Sequence, residues 1–185
     1  MAIFQTSGQA VHFSYVVQAY DASPQSQMAM IMRAAIKELG ARSSSIDFDG
    51  LTPLEVRGQC AMIRACVRTH LRPMEASAIE ARYSRDRDTK RVAIRALADY
   101  YGPVIGVNAS VALALLWRQH VDKKQKKDFT LRQIAKGYAI PFSSAQRAAL
   151  ALNDHLHAME GLALSNLHER FVASGVIDAN TYAHG

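Results

Sequence analysis

Between Phe129 and Arg147 the chain carries side chains suited to gripping or reading nucleic acid. Arg132, Gln133, Ser143, Ser144, Gln146 and Arg147 supply guanidinium, amide and hydroxyl groups, which match phosphate oxygens and base edges. Their spacing supplies a frame. Thr130 can cap a short helix in which Leu131, Ile134 and Ala135 recur at helical intervals. Gly137-Tyr138-Ala139 reads as a turn, and Ile140 as the apolar plug of the angle between two helices. Pro141 suits the first position of the second helix, where its missing N–H leaves no gap. The pattern predicts a helix-turn-helix at 129–147, with Ser143, Ser144, Gln146 and Arg147 on the early turns of its second helix. Two packed helices without DNA contact give a similar pattern; the charge around the segment favours DNA.

That charge is unevenly placed. The net value is +6. From Arg57 to Arg147 there are 18 Lys and Arg against 7 Asp and Glu, while the rest of the chain has 4 basic and 9 acidic residues. A basic middle between acidic ends fits a polyanion-binding surface. Just ahead of the motif lie Lys123, Lys124, Lys126 and Lys127, which can fix a protein on phosphates without reading sequence, or form a merely solvated loop. Arg57, Arg64 and Arg68 fall along one side of a further helix. That stripe is either a solvated face or, because arginine recurs three times, a site for phosphate or carboxylate.

Other chemistries find little support. The chain has no phosphate-binding glycine loop, no His-Glu-x-x-His and no paired-cysteine set. Cys60 and Cys66, six apart on one helix, suit neither a local disulfide nor a four-ligand zinc site. His155 and His157 face apart on a helix, and His168 is remote. Glu75 and Glu80, beside arginines, read as ion-pairing groups. No enzyme activity, cofactor or metal is expected. No apolar run has the length to span a bilayer, and no basic stretch followed by an apolar one is visible near Met1, so a cytoplasmic location is expected.

The elements that must position these residues all read as helical. At 185 residues and 49% apolar, the chain can bury a sizeable core. Residues 1–22 fit strand or helix, and helix is preferred because no strand partners follow. Ser23-Pro24 starts a helix with the stripe Met28, Ile31, Met32, Ala35, Ile36 and Leu39, ended by Gly40. Residues 41–51 read as a loop. Thr52-Pro53-Leu54-Glu55 is a capping box opening a helix to about Leu71, with Val56, Cys60, Ile63 and Val67 inward. Helices follow at 74–83 and 89–101, the latter with Val92, Ile94, Leu97, Ala98 and Tyr101 inward and closed by Gly102-Pro103. Asn108 caps a helix that is apolar nearly all round, with Trp117 as a core anchor. After Arg147 the helical pattern continues through Leu150, Leu152, Leu156, Met159, Leu162, Leu164, Leu167, Phe171 and Val172. The organisation expected is a 1–48 N-terminal helical segment, a 49–177 helical body and a frayed 178–185 tail.

The order Leu131-Arg132-Gln133-Ile134-Ala135, a turn, Ile140, then Ser143-Ser144-Ala145-Gln146-Arg147 resembles the helix-turn-helix of region 4 in sigma factors and of many phage regulators. Such turns often hold glycine in the left-handed conformation, where this chain has Ala139. Either the alanine bears roughly 1–2 kcal/mol there or Gly137 takes over the turn. Residues 51–64, Glu80-Ala81-Arg82-Tyr83, the 131–135 run and Leu167-His168-Glu169-Arg170-Phe171 are together similar to the Q-type late-gene antiterminators of phages and prophages, with the AlpA-like self-lysis regulators grouped with them. The resemblance covers about two thirds of the chain. It implies a protein that binds double-stranded DNA near a promoter, loads onto paused RNA polymerase and carries it through terminators. It implies Arg132, Gln133, Ser143, Ser144, Gln146 and Arg147 as DNA contacts. The cysteine-held zinc of some members has no counterpart here.

The reading that follows is an all-helical DNA-binding transcription antitermination factor. Double-stranded DNA and RNA polymerase are the expected partners, and nascent RNA is a further candidate for the arginine stripe. The alternatives are a promoter-bound repressor or activator, and a helical protein-interaction module without DNA binding. Oligomeric state is left open.

Overall fold

The computed structural model describes residues 3–20, 28–38, 50–121, 126–127 and 129–178. The expected all-α class holds: among the described residues the regular elements are α1 (Ser7–Gln18), α2 (Met28–Glu38), α3 (Pro53–His70), α4 (Pro73–Tyr83), α5 (Arg87–Val104), α6 (Ala109–His120), α7 (Leu131–Gly137) and α8 (Phe142–Ala173). Extended pairing among these residues is limited to an isolated bridge between Phe4 and Ile177. No described helix is long and apolar enough to cross a membrane. The expected start at Ser23-Pro24, the stop at Gly40, most of the 41–51 loop and the 178–185 tail beyond Asp178 lie outside the described residues.

The chain divides into two compact units. The first comprises Met1–Arg72, Tyr83–Asp86 and Leu162–Gly185, and the second Pro73–Arg82 and Arg87–Gly161.

In the first unit α1 packs on α2 and α3. Thr6 caps α1 by accepting from the Gln9 N–H at 3.2 Å. Ala10, Val11, Phe13, Ser14, Tyr15, Val16 and Val17 are all buried, so α1 is enclosed on almost every side. That enclosure explains why its sequence alternates like a strand: a helix apolar all round has no single stripe to betray its period. The capping box on α3 is present, with the Thr52 N–H donating to Glu55 Oε2 at 2.7 Å and the Glu55 N–H to Thr52 Oγ1 at 3.3 Å. Val56, Cys60, Ile63 and Val67 form the buried side of α3, as their spacing predicts. Ile31 and Ala35 of α2 are buried, whereas Met30 is exposed. The N–H groups of Ile3 and Phe4 both donate to the Val176 carbonyl, at 3.1 and 3.0 Å, which ties the N-terminal stretch beside the end of α8.

In the second unit one apolar cluster joins α4, α5, α6, α7 and the first half of α8. Ile94, Leu97, Tyr101, Leu115, Leu116, Ile134, Leu152 and Leu156 are its larger members, and Trp117 packs against it half-buried. α6 is the most enclosed helix of this unit, with no exposed residue from Val111 to His120. Arg82 of α4 and Glu160 of α8 form an ion pair in which Glu160 is almost wholly buried. Burial raises the Glu160 carboxyl above the usual range, against the opposing pull of Arg82 and His157.

Three expectations are corrected in this unit. α5 begins at Arg87 and runs through Gly102-Pro103 to Val104. Pro103 falls in the last turn, and the Ile105 N–H still reaches the Tyr101 carbonyl at 2.9 Å, so little of the ladder is lost there. Val92 is exposed rather than in the core, because Ala93 beside it is the residue that turns inward. Pro141 sits just before α8 rather than inside it; its carbonyl accepts from Ser144 and Ala145 at 3.0 and 3.1 Å.

Candidate nucleic-acid interface

α7, the residues after it and the start of α8 form one locally determined piece of the second unit. Thr130 caps α7 through a reciprocal box: its N–H donates to Gln133 Oε1 at 2.7 Å, and the Gln133 N–H donates to Thr130 Oγ1 at 3.3 Å. Ile134 and Ala135 are buried, while Leu131 and Ile140 pack half-buried on the same cluster.

The turn is a Schellman closure. The Ile140 N–H donates to the Ala135 carbonyl at 3.0 Å, and the Ala139 N–H to the Lys136 carbonyl at 3.3 Å. That pattern requires a left-handed residue at 139, and Ala139 adopts φ +50. Of the two possibilities raised by the sequence, the alanine itself therefore takes the strained position. The chain builds the same closure twice more with glycine. After α5, Val107 N–H bonds Gly102 O at 2.9 Å around Gly106, which has φ +70. After α8, Val176 N–H bonds Phe171 O at 2.8 Å around Gly175, which has φ +71.

α8 turns Ala145, Ala148, Leu152 and Leu156 inward, at spacings of three and four. The other side of its first turns is therefore outward: Ser143, Gln146 and Arg147 are exposed and Ser144 is half-buried. Arg132 and Gln133 on α7 are exposed as well. The Arg132 guanidinium lies 5.9 Å from the centre of the Phe142 ring, a cation–π contact that links the two helices. The structure thus brings Arg132, Gln133, Ser143, Ser144, Gln146 and Arg147 into one short connected piece. Gln133 is partly committed, since its carbonyl oxygen also serves the Thr130 cap.

Lys136, exposed on the last turn of α7, belongs to the same piece although its side chain was not singled out from the sequence. Its signal was available: from Phe129 to Asn153 the chain has Arg132, Lys136 and Arg147 and no acidic residue. Of the lysine run, Lys127 is exposed and Lys126 half-buried; Lys123 and Lys124 lie outside the described residues. Two open grooves border the start of α8. One, about 320 Å³, is lined by Arg118, Gln119, Lys126 and Gln146 over a floor that includes Leu115 and Leu152. The other, about 350 Å³, lies between Ile105-Gly106-Val107 and the Ser144, Arg147 and Ala151 side of α8.

Arg57, Arg64 and Arg68 belong to the first unit. Two of them serve the fold. Arg64 donates to the Ser14 carbonyl of α1 at 2.6 Å, and Arg57 to the Tyr20 carbonyl just beyond that helix at 3.3 Å. Arg68 is exposed.

The described residues contain no group of three or more His, Cys, Asp or Glu placed to hold a metal ion. Cys60 and Cys66 are both free thiols, and burial pushes the Cys66 thiol up. His155 stacks on Tyr101, with ring centres 5.5 Å apart. His120 at the end of α6 is pushed down to about 4, first by burial and then by Lys90, Arg82 and Lys126. No family model matches this chain, and no curated protein matches it.

Proposed function

We propose that the chain is a DNA-binding transcription regulator that acts as an antitermination factor on RNA polymerase. In this reading α7, the Ala139 turn and α8 form a helix-turn-helix. The observation that carries the proposal is that Arg132, Lys136 and Arg147, with Ser143 and Gln146, are all exposed on a stretch, Phe129 to Asn153, that contains no acidic residue. Helix α8 would lie in the major groove with Ser143, Gln146 and Arg147 toward base edges. Arg132, Lys136, Lys126 and Lys127, together with Lys123 and Lys124, would hold phosphates. Arg57 and Arg64 are engaged with carbonyls in and just beyond α1, so the proposed interface rests on the second unit.

The test is transcription in vitro with purified polymerase, on a template carrying the gene's neighbouring promoter and a downstream terminator. Read-through that needs both the protein and the promoter-proximal DNA supports antitermination. Changed initiation with unchanged termination makes the protein a promoter-bound repressor or activator. Arg147→Ala then separates readout from attachment. A base-reading arginine loses about 1–3 kcal/mol on the preferred site and relaxes one position, whereas a phosphate contact weakens specific and random DNA alike. Absence of any salt-dependent DNA binding refutes the proposal and favours a protein-interaction module.

A further inference from the structure

The first turns of α8 have a groove along either flank. Successive helical residues turn by about 100°. With Ala145, Ala148, Leu152 and Leu156 buried, that rotation puts Gln146 and Asn153 on one flank of α8 and Ser144 and Ala151 on the other. The groove on the Gln146 flank is walled by α6, and the groove on the Ser144 flank by the 105–107 turn. A helix is about 10–12 Å across and the major groove of DNA about 12 Å wide. A helix laid in that groove therefore has a sugar-phosphate backbone running past each flank.

The two flanks differ in charge. On the Ser144 side the charged lining residue is Arg147. On the Gln146 side α6 contributes Arg118 beside Lys126, and no described acidic residue lines the groove. Arg118 is uncommitted: among the described residues it has no ion pair, and its Nε is buried without a hydrogen-bond partner. Other arginines of this unit are engaged, Arg82 by Glu160, Arg91 by Asp88 and Arg95 by Asp99. A buried donor left unpaired by the fold calls for a partner that the chain does not supply. Next to it the Gln119 side-chain amide donates to Asn153 Oδ1 at 2.9 Å, which ties α6 to α8 and holds the wall carrying Arg118 in place. We infer that the groove between α6 and α8 seats the phosphodiester backbone along one wall of the major groove, with Arg118 as its anchoring contact. This rests on the reading of α8 as the helix that enters DNA, and it adds a contact from a helix outside the 129–147 motif. An acidic protein segment would meet the same cations, but the groove continues into Gln146 and Lys126 on the proposed DNA face, which favours phosphate.

Fluorescence anisotropy of the full chain on two labelled duplexes, one from the gene's neighbouring promoter and one of random sequence, tests this as salt is varied. Arg118→Met and Arg118→Gln remove the charge and keep an unbranched stem. Each should weaken both duplexes alike, about fivefold at about 0.15 M salt, and lower the slope of log affinity against log salt by about 0.9, the share of one phosphate. Arg118→Lys keeps the charge and should keep the slope, which tells a lost contact from a damaged fold. Arg95→Met takes the same charge from α5 and should leave the slope unchanged. Unchanged affinity and slope in the folded Arg118 variants overturn the inference, leave the DNA reading standing and give the groove to an acidic protein segment. A slope lowered equally by Arg95→Met makes the effect one of net charge and overturns it too. An unaltered protein without salt-dependent binding overturns the DNA reading itself, and the inference with it.

Discussion

Replacing Ala139 by glycine should make the second unit more stable, although glycine usually costs stability by loosening the unfolded chain. Ala139 holds φ +50, where a Cβ costs roughly 1–2 kcal/mol. Glycine removes that cost and adds about 0.4–1 kcal/mol of unfolded-state entropy to be overcome. Ala139 is exposed, so its methyl contributes little burial. The balance is a gain of about 0.5–1 kcal/mol. The chain supplies its own controls, since Gly106 and Gly175 hold the corresponding place in two further closures of the same hydrogen-bond pattern. Trp117 is the single tryptophan and packs against the second unit's core, so its fluorescence reports this unit's unfolding in urea. With a urea dependence of about 1–3 kcal/mol per molar, the midpoint should rise by about 0.2–1 M. Ala139→Val should move it the other way, because a branched side chain tolerates positive φ least. A midpoint that falls with glycine would refute the left-handed closure after α7.

Three further outcomes follow from packing and titration. His120 is held neutral in the folded state at about 4, while the unfolded chain binds the proton near 6.5; as pH falls through that window the unfolded state gains protons, and unfolding free energy should drop by about 3 kcal/mol between neutral pH and about pH 4. That pH-dependent part should be missing in His120→Gln, as measured by urea midpoints at both ends of the window. Arg82→Met should cost about 2–3 kcal/mol by stranding the buried Glu160 carboxylate, and Glu160→Gln less, because Arg82 is 45% exposed and can return to water; a thermal melt ranking them the other way contradicts this. Gly102→Ala should destabilise by about 1–2 kcal/mol, since its Cβ would stand 3.2 Å from the Val107 carbonyl oxygen, whereas Gly137→Ala meets nothing within 4 Å and should be neutral or slightly stabilising in the same melt.

The parts of this fold that were legible in the sequence are those governed by local chemistry. Thr52 with Glu55 and Thr130 with Gln133 place two helix starts because caps are satisfied within four residues. The stripe Val56, Cys60, Ile63 and Val67 declares its buried side by period alone. What escaped depended on neighbours. Val92 and Ala93 are both apolar, and it is Ala93 that falls in phase with the inward Ile94, Leu97, Ala98 and Tyr101. Pro103 looked like a helix stop, yet a proline in the last turn removes little of the hydrogen-bond ladder. Arg57 and Arg64 had the right type for a polyanion; their carbonyl partners, Tyr20 just after α1 and Ser14 within it, are 37 and 50 residues away in sequence, beyond any local pattern. At the candidate interface the outward side of α8 followed from its inward alanines, whereas the grooves beside it depend on the 105–107 turn and on α6.

The distribution of the two units along the chain has a consequence for synthesis. The second unit is drawn almost wholly from one continuous stretch, Pro73–Arg82 and Arg87–Gly161, but the first unit needs Leu162–Gly185 as well as the N-terminal stretch. Chains emerge from the ribosome N-terminus first, and domains usually fold in that order. Here the second unit needs no residue beyond Gly161, whereas the first needs residues that follow it. The second unit can close while the first still lacks the Val176 carbonyl that receives the N–H groups of Ile3 and Phe4. Until Val176 emerges, the apolar α1 has to wait with its N-terminal clasp unformed. A stop codon shortly before Val176 would therefore leave Ile3 and Phe4 without their carbonyl partner in the first unit.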